Sequence, residues 1–448
     1  MFTKVIVANR GAVASRVLRA LNAMGIHSVA LYSEADAGAP YLAMASETYA
    51  IGPAPARESY LNQDLILDIL RKSHADGLHP GYGFLSENAG FAQRVTDGGA
   101  RFIGPSPQWI DAMGHKTRAR ELAAQHGMPM SKGSPVLPME NASILQAARD
   151  IGYPVLVKPA GGGGGIGMLP AKDEAALLET VERSRSMASR GFGNAEVYLE
   201  RLFERPRHVE FQVLGDQHGN VAHLFERDCS TQRRNQKVIE EAPGPNIPRD
   251  KVNAVAEHIT GIMRKIGYDN IGTVEMLMGA DGSFNFLEMN TRLQVEHGVT
   301  EEVTGVDLVK AQIRSAAGEK LADILPHKIE IKGHAIQARV YAEDPKNFFP
   351  SPGKLNVFRP PVDGSVRVET GFAEGRDVTP HYDPMIAKVI AHAPSRGAAI
   401  DKLVGALEAF EIQGLKHNLP AVIAILKSEP FRAGDVHTGL IPEVLKKK

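Results

Sequence analysis

Thr273-Val274-Glu275-Met276-Leu277-Met278-Gly279-Ala280-Asp281-Gly282-Ser283-Phe284-Asn285-Phe286-Leu287-Glu288-Met289-Asn290 reads as two strands joined at Asp281-Gly282. Asp-Gly is a strong two-residue hairpin signal. If Ala280 pairs with Ser283, Glu275 falls opposite Glu288 and Thr273 opposite Asn290. The period of two then gathers Glu275, Glu288 and Asn290 on one face, together with Leu277 and Phe286. Opposed carboxylates repel, so this register asks for a cation between them. All-oxygen donors of this kind suit Mg²⁺ or Mn²⁺, with substrate phosphates completing the shell. The competing reading is a solvent-exposed acidic face in a register shifted by one. Leu277 and Phe286 on the same face argue against full exposure.

Just beyond lies Arg292-Leu293-Gln294-Val295-Glu296. If extended, it points Arg292, Gln294 and Glu296 the same way. A guanidinium suits a planar carboxylate-like anion, and Glu296 is placed to act as a base on it. Upstream, Gly161-Gly162-Gly163-Gly164-Gly165-Ile166-Gly167 follows Lys158 by three residues. Glycine lets backbone N–H groups approach an anion closely, and the ammonium adds a point charge for phosphate. No Gly-Lys-Ser/Thr closes the loop, so it is not a P-loop. Strand-like flanks favour a nucleotide-phosphate lid over a flexible linker. Gln232-Arg233-Arg234-Asn235-Gln236-Lys237 reads, by itself, as a solvated basic run. His208 and Glu210 are unspecific alone, and Cys229 lacks a Cys-His constellation that would make it reactive.

The rest of the 448 residues sets the frame. With 43% hydrophobic and 23% charged residues the composition is that of a globular protein of about three domains. A net charge of −1 gives no basic excess for nucleic acid or an anionic membrane. The single cysteine allows no internal disulfide. No apolar run reaches the roughly 18–20 residues of a spanning helix, and the first apolar run is too short for a signal peptide. These features predict a cytoplasmic chain. Val5 to Ala8, the helical spacing of Val13, Val17, Leu18 and Leu21 ended at Gly25, and the strand from His27 to Tyr32 form a βαβ unit without a G-x-G-x-x-G fingerprint. The expected organisation is an open parallel α/β domain over 1–115, a second domain over 116–330 with a mobile lid over about 132–203, and an α+β domain over 331–448. Strands are expected near 333–342, 354–358 and 365–370, and helices near 395–410 and 419–427.

Taken together the segments resemble the biotin carboxylase family of the ATP-grasp superfamily. The carriers are Ala8-Asn9-Arg10-Gly11, His79 to Asn88, Lys158 with its glycine loop, Pro206 to Glu210, Glu226 to Ser230, Glu240-Glu241-Ala242-Pro243 and, most specific, Glu288 to His297. The resemblance implies a Rossmann-like N-terminal domain, an ATP-grasp domain with a lid and a C-terminal biotin carboxylase domain. It implies ATP contacts from Lys116, Lys158, Gly164, Gly165, His208 and Gln232, with Glu200, Arg201, Leu202 and Phe203 as the adenine hinge. It places Mg²⁺ or Mn²⁺ on Glu275 and Glu288 with Asn290 nearby, bicarbonate on Lys237, Arg292, Gln294, Val295 and Glu296, and biotin at Val295 and Arg339. Glu296 is the implied base, and Arg339 the implied partner of the biotin ureido oxygen. Lys237 and Arg292 complete the catalytic set.

No Met-Lys-Met biotin-attachment sequence occurs, so biotin is expected on a separate biotin carboxyl carrier protein. A separate carboxyltransferase subunit and a homodimer are also implied. Against the family pattern, Ala12 stands for Glu, Ile166 for Arg or Lys, Arg201 for Lys and Asn235 for His. Asn can donate a hydrogen bond but carries no charge. Asn235 and Ile166 motivate a second reading, a catalytically weakened regulatory or assembly subunit. A third is another ATP-grasp ligase working through an acyl phosphate.

Overall fold

The computed structural model describes residues 1–161, 166–361 and 364–446. The N-terminal segment folds as expected into a parallel sheet in the order Glu47–Ala50, His27–Tyr32, Lys4–Val7, Gly77–His79, Arg101–Phe102. Its central strand is wholly buried at Val5, Ile6 and Val7, because helices cover both faces. The helix Gly11–Ala23 stops where Gly25 turns to φ +68°, a backbone that glycine adopts without a Cβ clash. Residues 132–203 contribute a three-stranded sheet, Leu169–Ala171, Val155–Pro159 and Val197–Arg201, backed by the helices Asn141–Ile151 and Glu174–Phe192.

An eight-stranded antiparallel sheet forms the centre. Its order is Phe284–Asn290, Asn270–Met278, Arg207–Gly215, Val221–Arg233, Gln236–Ala242, His334–Tyr341, Met385–Ala393, Arg367–Thr370. Alternation sorts its faces. Val209, Phe211, Val213, Val274 and Met276 pack beneath the helix Arg249–Ile266, while the intervening polar residues face the other way. Register shifts between His223 and Glu226 and again between Asp228 and Gln232 bend the central strand. The C-terminal helices Arg396–Glu408 and Leu419–Lys427 cover the far half of the sheet.

Several sequence expectations need correction. The hairpin after Met278 is not a two-residue turn: Gly279 N–H donates to Ser283 O, and Gly282 sits at φ +74°, which is a three-residue loop with glycine in the left-handed position. A further register shift between Glu275 and Met276 absorbs Leu287 as an extra residue. The two irregularities cancel, so Glu275 still pairs with Glu288 and Thr273 with Asn290. Between them, however, Phe286 is turned into the core with Met276, and Leu287 takes its place beside Leu277. The segment Arg292–Glu296 is not extended but turns into the helix His297–Thr304. Residues 354–358 divide into the strands Gly353–Lys354 and Val357–Arg359.

The N- and C-terminal segments meet backbone to backbone. A Cβ on Gly371 would fall 2.3 Å from Gly11 Cα and 2.4 Å from its carbonyl carbon. No side chain there can swing aside. Gly371→Ala is therefore expected to destabilise the fold by about 1–3 kcal/mol, read as a lowered midpoint in thermal or urea unfolding. An unchanged midpoint would refute this close contact.

Candidate active site

The polar face of the curled sheet lines a cleft of about 600 Å³. At its centre is the Lys237 ammonium. Its Nζ donates to Glu210 Oε2 at 2.5 Å, Glu275 Oε1 at 2.7 Å and Glu296 Oε1 at 2.7 Å. Lys237 and Glu275 lie on strands separated by two others. In a flat sheet that spacing would be about 14 Å, beyond a lysine's reach, so the contact measures how far the bulged sheet has curled.

Lys237 reaches this point through a local device. The run Gln232–Lys237 is a tight hairpin, with Arg233 paired to Gln236 and with Arg234 and Asn235 at φ +48° and +66°. Asparagine tolerates that left-handed backbone better than most residues. The solvated-basic-run reading holds only for the tip, where Arg234 and Asn235 are exposed, and fails for the residues on either side. Gln232 and Arg233 are buried, and Arg233 Nη2 binds Glu343 at 2.6 and 2.7 Å.

Further cations hold the remaining carboxylate oxygens. Arg339 Nη2 donates to Glu296 Oε2 at 3.0 Å, and its Nε donates to Glu240. Arg227, fully buried, donates to Glu210 and also to Gln212 Oε1 at 2.8 Å and Thr300 Oγ1 at 2.9 Å. Arg292 Nη1 binds Gln294 Oε1 at 2.9 Å, its Nη2 binds Asn290 Oδ1 at 2.8 Å, and its Nε binds Glu87 of the N-terminal domain at 2.8 Å. Burial alone would raise the Glu296 carboxyl, but Lys237, Arg339 and Arg227 hold it below the usual range. Glu275 is likewise held well below it, against burial, by Lys237 and His208. The same carboxylates push the Lys237 pKa well above that of an ordinary lysine, again against burial. The Cys229 thiol is pushed up by burial and by Glu210, which fits an unreactive residue.

The other end of the cleft is apolar. Leu156, Met168, Leu202, Phe203, Leu277 and Leu287 form its walls, with Glu200 and Arg201 at the edge. Lys158 Nζ lies 3.1 Å from Glu200 Oε1, and Arg120 Nη1 lies 2.9 Å from the same oxygen. His208 Nε2 is 3.1 Å from Glu275 Oε2, while Gln232 Nε2 donates to His208 Nδ1 at 2.8 Å. A slot for a flat apolar ring thus opens onto a bed of charge.

Glu275 and Glu288, paired across the strands and both lining the cleft, fit a hard oxygen-seeking cation. Asn290 Oδ1 faces Arg292, and its Nδ2 is buried without a partner, so this amide lies at the edge of the set. The His208–Glu210–Glu275 and Glu210–Cys229–Glu296 groups also bring donor atoms within 4.8 Å, but the Lys237 ammonium already fills that centre.

The structure therefore brings together the expected residues from Lys158 through Arg339 in one cleft. Lys116 begins the helix Lys116–Gln125, but its side chain lies outside the described residues, as do Gly164 and Gly165. Sequence reasoning missed the Lys237 counter-ion role of Glu210 and the buried Arg227. The available signal was a charged residue at an inward position of a strand otherwise buried on both faces.

A curled antiparallel sheet with paired carboxylates on its floor, roofed by a glycine-loop subdomain, is the architecture of an ATP-grasp enzyme. Comparison with known proteins narrows the class. Residues 1–110 match the family model "Biotin carboxylase, N-terminal domain", 115–324 match "Carbamoyl-phosphate synthase L chain, ATP binding domain", and 337–443 match "Biotin carboxylase C-terminal domain". Biotin carboxylase 2 of Bacillus subtilis is 46% identical over 99% of this chain and 100% of its own length. The biotin carboxylase domain dimer of Hydrogenobacter thermophilus 2-oxoglutarate carboxylase, solved with MgADP and bicarbonate, superposes with a TM-score of 0.94 at 42% identity, covering 99% of each chain. Biotin carboxylase from Campylobacter jejuni superposes with a TM-score of 0.95 at 38% identity, also covering 99% of each. The chain belongs to the biotin carboxylase family, ATP-dependent carboxylating ligases. No described helix is long and apolar enough to cross a membrane.

Removing the central ammonium tests the electrostatics. Lys237→Met leaves three carboxylates facing one another, expected to cost about 3–5 kcal/mol near neutral pH. In the wild type, Glu275 and Glu296 have depressed pKa values, so their stabilisation is complete above about pH 4.5 and fades as pH falls below it. In the variant these carboxyls rise above that value, so stability increases as pH falls from 8 towards 5. Melting curves at the two pH values would show the deficit shrinking at pH 5; a deficit independent of pH would contradict this account.

Proposed function

We propose that this chain carboxylates biotin with bicarbonate and ATP, giving ADP, phosphate and N1′-carboxybiotin. The observation that carries the reading is Glu296 held between Lys237 and Arg339, one turn of chain from Arg292 and Gln294. In this reading the apolar slot beside Glu200–Phe203 takes adenine. Lys158, His208 and Gln232, with Lys116, Gly164 and Gly165, attend the nucleotide and its phosphates. Glu275 and Glu288 would hold Mg²⁺, which would offset charge on the phosphate oxygens. Bicarbonate enters against Lys237, Arg292, Gln294, Val295 and Glu296.

A carboxylate pulled as low as Glu296 is a poor base while both cations are its own. A bound anion that shares Lys237 releases part of that hold, and Lys237 together with Arg292 stabilises the carbonate dianion that forms. The dianion attacks the γ-phosphate of ATP and yields carboxyphosphate, which breaks to CO₂ and phosphate. Phosphate takes the N1′ proton of biotin, Arg339 steadies the ureido oxygen, and N1′ attacks CO₂. Closure of residues 132–203 keeps water from the labile intermediate.

Biotin arrives on a biotin carboxyl carrier, and a carboxyltransferase passes the group on. The chain works as a homodimer in the cytoplasm. The domain divisions that serve this are 1–115, 116–330 and 331–448.

The decisive measurement is ADP release with and without bicarbonate and free biotin. Release that needs bicarbonate and rises with biotin is expected. Its absence with ATP still bound would favour the weakened regulatory subunit suggested by Ile166 and Asn235, and Asn235→His restoring turnover would identify the cause. Glu296→Gln is expected to abolish most turnover with ATP binding intact, and near-normal turnover would remove Glu296 as base. Arg339→Ala is expected to spare bicarbonate-dependent ATP cleavage more than carboxybiotin formation; equal loss of both would displace it from biotin.

A further inference from the structure

Lys388 is a buried ammonium that the reaction above does not use. It sits in Met385-Ile386-Ala387-Lys388-Val389-Ile390-Ala391, an otherwise apolar strand, with its side chain fully buried. In the sheet register it pairs with Arg339 on one side and Glu369 on the other. The three therefore form one cross-strand row on one face. Arg339 reaches Glu296 Oε2 at 3.0 Å, and Lys388 Nζ donates to the adjacent Val295 carbonyl oxygen at 2.8 Å. Glu369 Oε2, 2.6 Å from Lys388 Nζ, keeps the buried charge paired.

The neighbouring peptide is pinned as well. His297 Nδ1 is 2.7 Å from the Gln294 carbonyl oxygen, so Nδ1 carries the hydrogen. Burial and Lys388 hold this ring well below the usual histidine pKa, so it stays neutral. Gly298 allows the approach: a Cβ there would meet Ile390 Cδ1 at 2.4 Å. The carbonyls on both sides of Val295 are thus fixed by buried groups from the rigid sheet and the helix start. A buried ammonium is costly to maintain, and apolar residues would fill this strand at lower cost. Its direct product is the orientation of the Val295–Glu296 corner.

We propose that Lys388 is a positioning residue for the bicarbonate subsite, holding the Val295 main chain at the orientation the substrate meets. The proposal rests on the functional reading above. It acts through Val295 and touches no nucleotide-side residue, so its loss shows in the Michaelis constant for bicarbonate and not in that for ATP.

The test is the paired variant Lys388→Met/Glu369→Gln, which removes the buried ion pair without stranding a charge. Of the other cations near Glu369, Arg367 keeps Glu301 at 2.7 Å, Arg16 keeps Glu301 at 2.8 Å and Asp307 at 2.5 Å, and Arg19 is exposed to solvent. Bicarbonate-dependent ADP release is measured with each substrate varied. Loss of one orienting hydrogen bond is expected to raise KM for bicarbonate about tenfold, with KM for ATP within about twofold of wild type. An unchanged bicarbonate KM, equal rises in both constants, or a fall in kcat alone overturns the proposal. If the paired variant does not accumulate folded, Lys388→Arg decides. It keeps the charge beside Glu369, but its planar fork presents donors elsewhere, so bicarbonate KM rises by roughly threefold with ATP KM unmoved; two unmoved constants overturn the proposal. Wild type with no bicarbonate-dependent ADP release would instead defeat the functional reading.

Discussion

The Lys237 ammonium binds Glu210, Glu275 and Glu296, which come from two strands and the turn before a helix. Each of these carboxylates would be intolerable at that depth alone, and so would the ammonium. Their mutual dependence fixes the curl of the sheet, because Lys237 meets Glu275 only when the intervening strands bend. The bulges in Val221–Arg233 supply that bend. The fold and the site's charge pattern are one constraint seen twice: the sheet curls where the charges need to meet, and the charges lock the curl.

Much of this was legible before any coordinates. The opposition of Glu275 to Glu288 followed from Asp281-Gly282 and strand alternation, and the pairing is as expected. The route was less regular than the rule behind it. A longer turn and an absorbed Leu287 compensated, and only the side-chain partition between Phe286 and Leu287 betrayed them. Periodicity sees the repeat of a strand but not an inserted residue, since a bulge leaves composition unchanged.

The other shortfalls have the same root. Arg292, Gln294 and Glu296 converge although the backbone turns, because Arg292 itself holds Gln294 and Asn290. Local charge density made Gln232–Lys237 look solvated throughout, while the burial of Gln232 and Arg233 comes from strands far away in sequence. Lys388 interrupts an apolar run, a visible signal, but the carbonyl it serves lies 93 residues away. Motif resemblance recovered Lys237 because it carries long-range information that residue-level reading lacks.

Three family models divide the chain, yet the central sheet ignores one of the divisions. Gln236–Ala242, inside the ATP-binding match, hydrogen-bonds directly to His334–Tyr341, the first strand of the C-terminal region. Arg339, on the far side of that seam, completes the pairing of Glu296 on the near side. For recombination between relatives this seam is a poor crossover point. A graft there must rebuild a main-chain ladder and a buried ion pair at once. Among the described residues, 132–203 share no strand pairing with the central sheet and are the natural unit of exchange, whereas the N-terminal sheet, though it also pairs no strand there, is tied in by the Gly11–Gly371 contact and by Glu87 on Arg292.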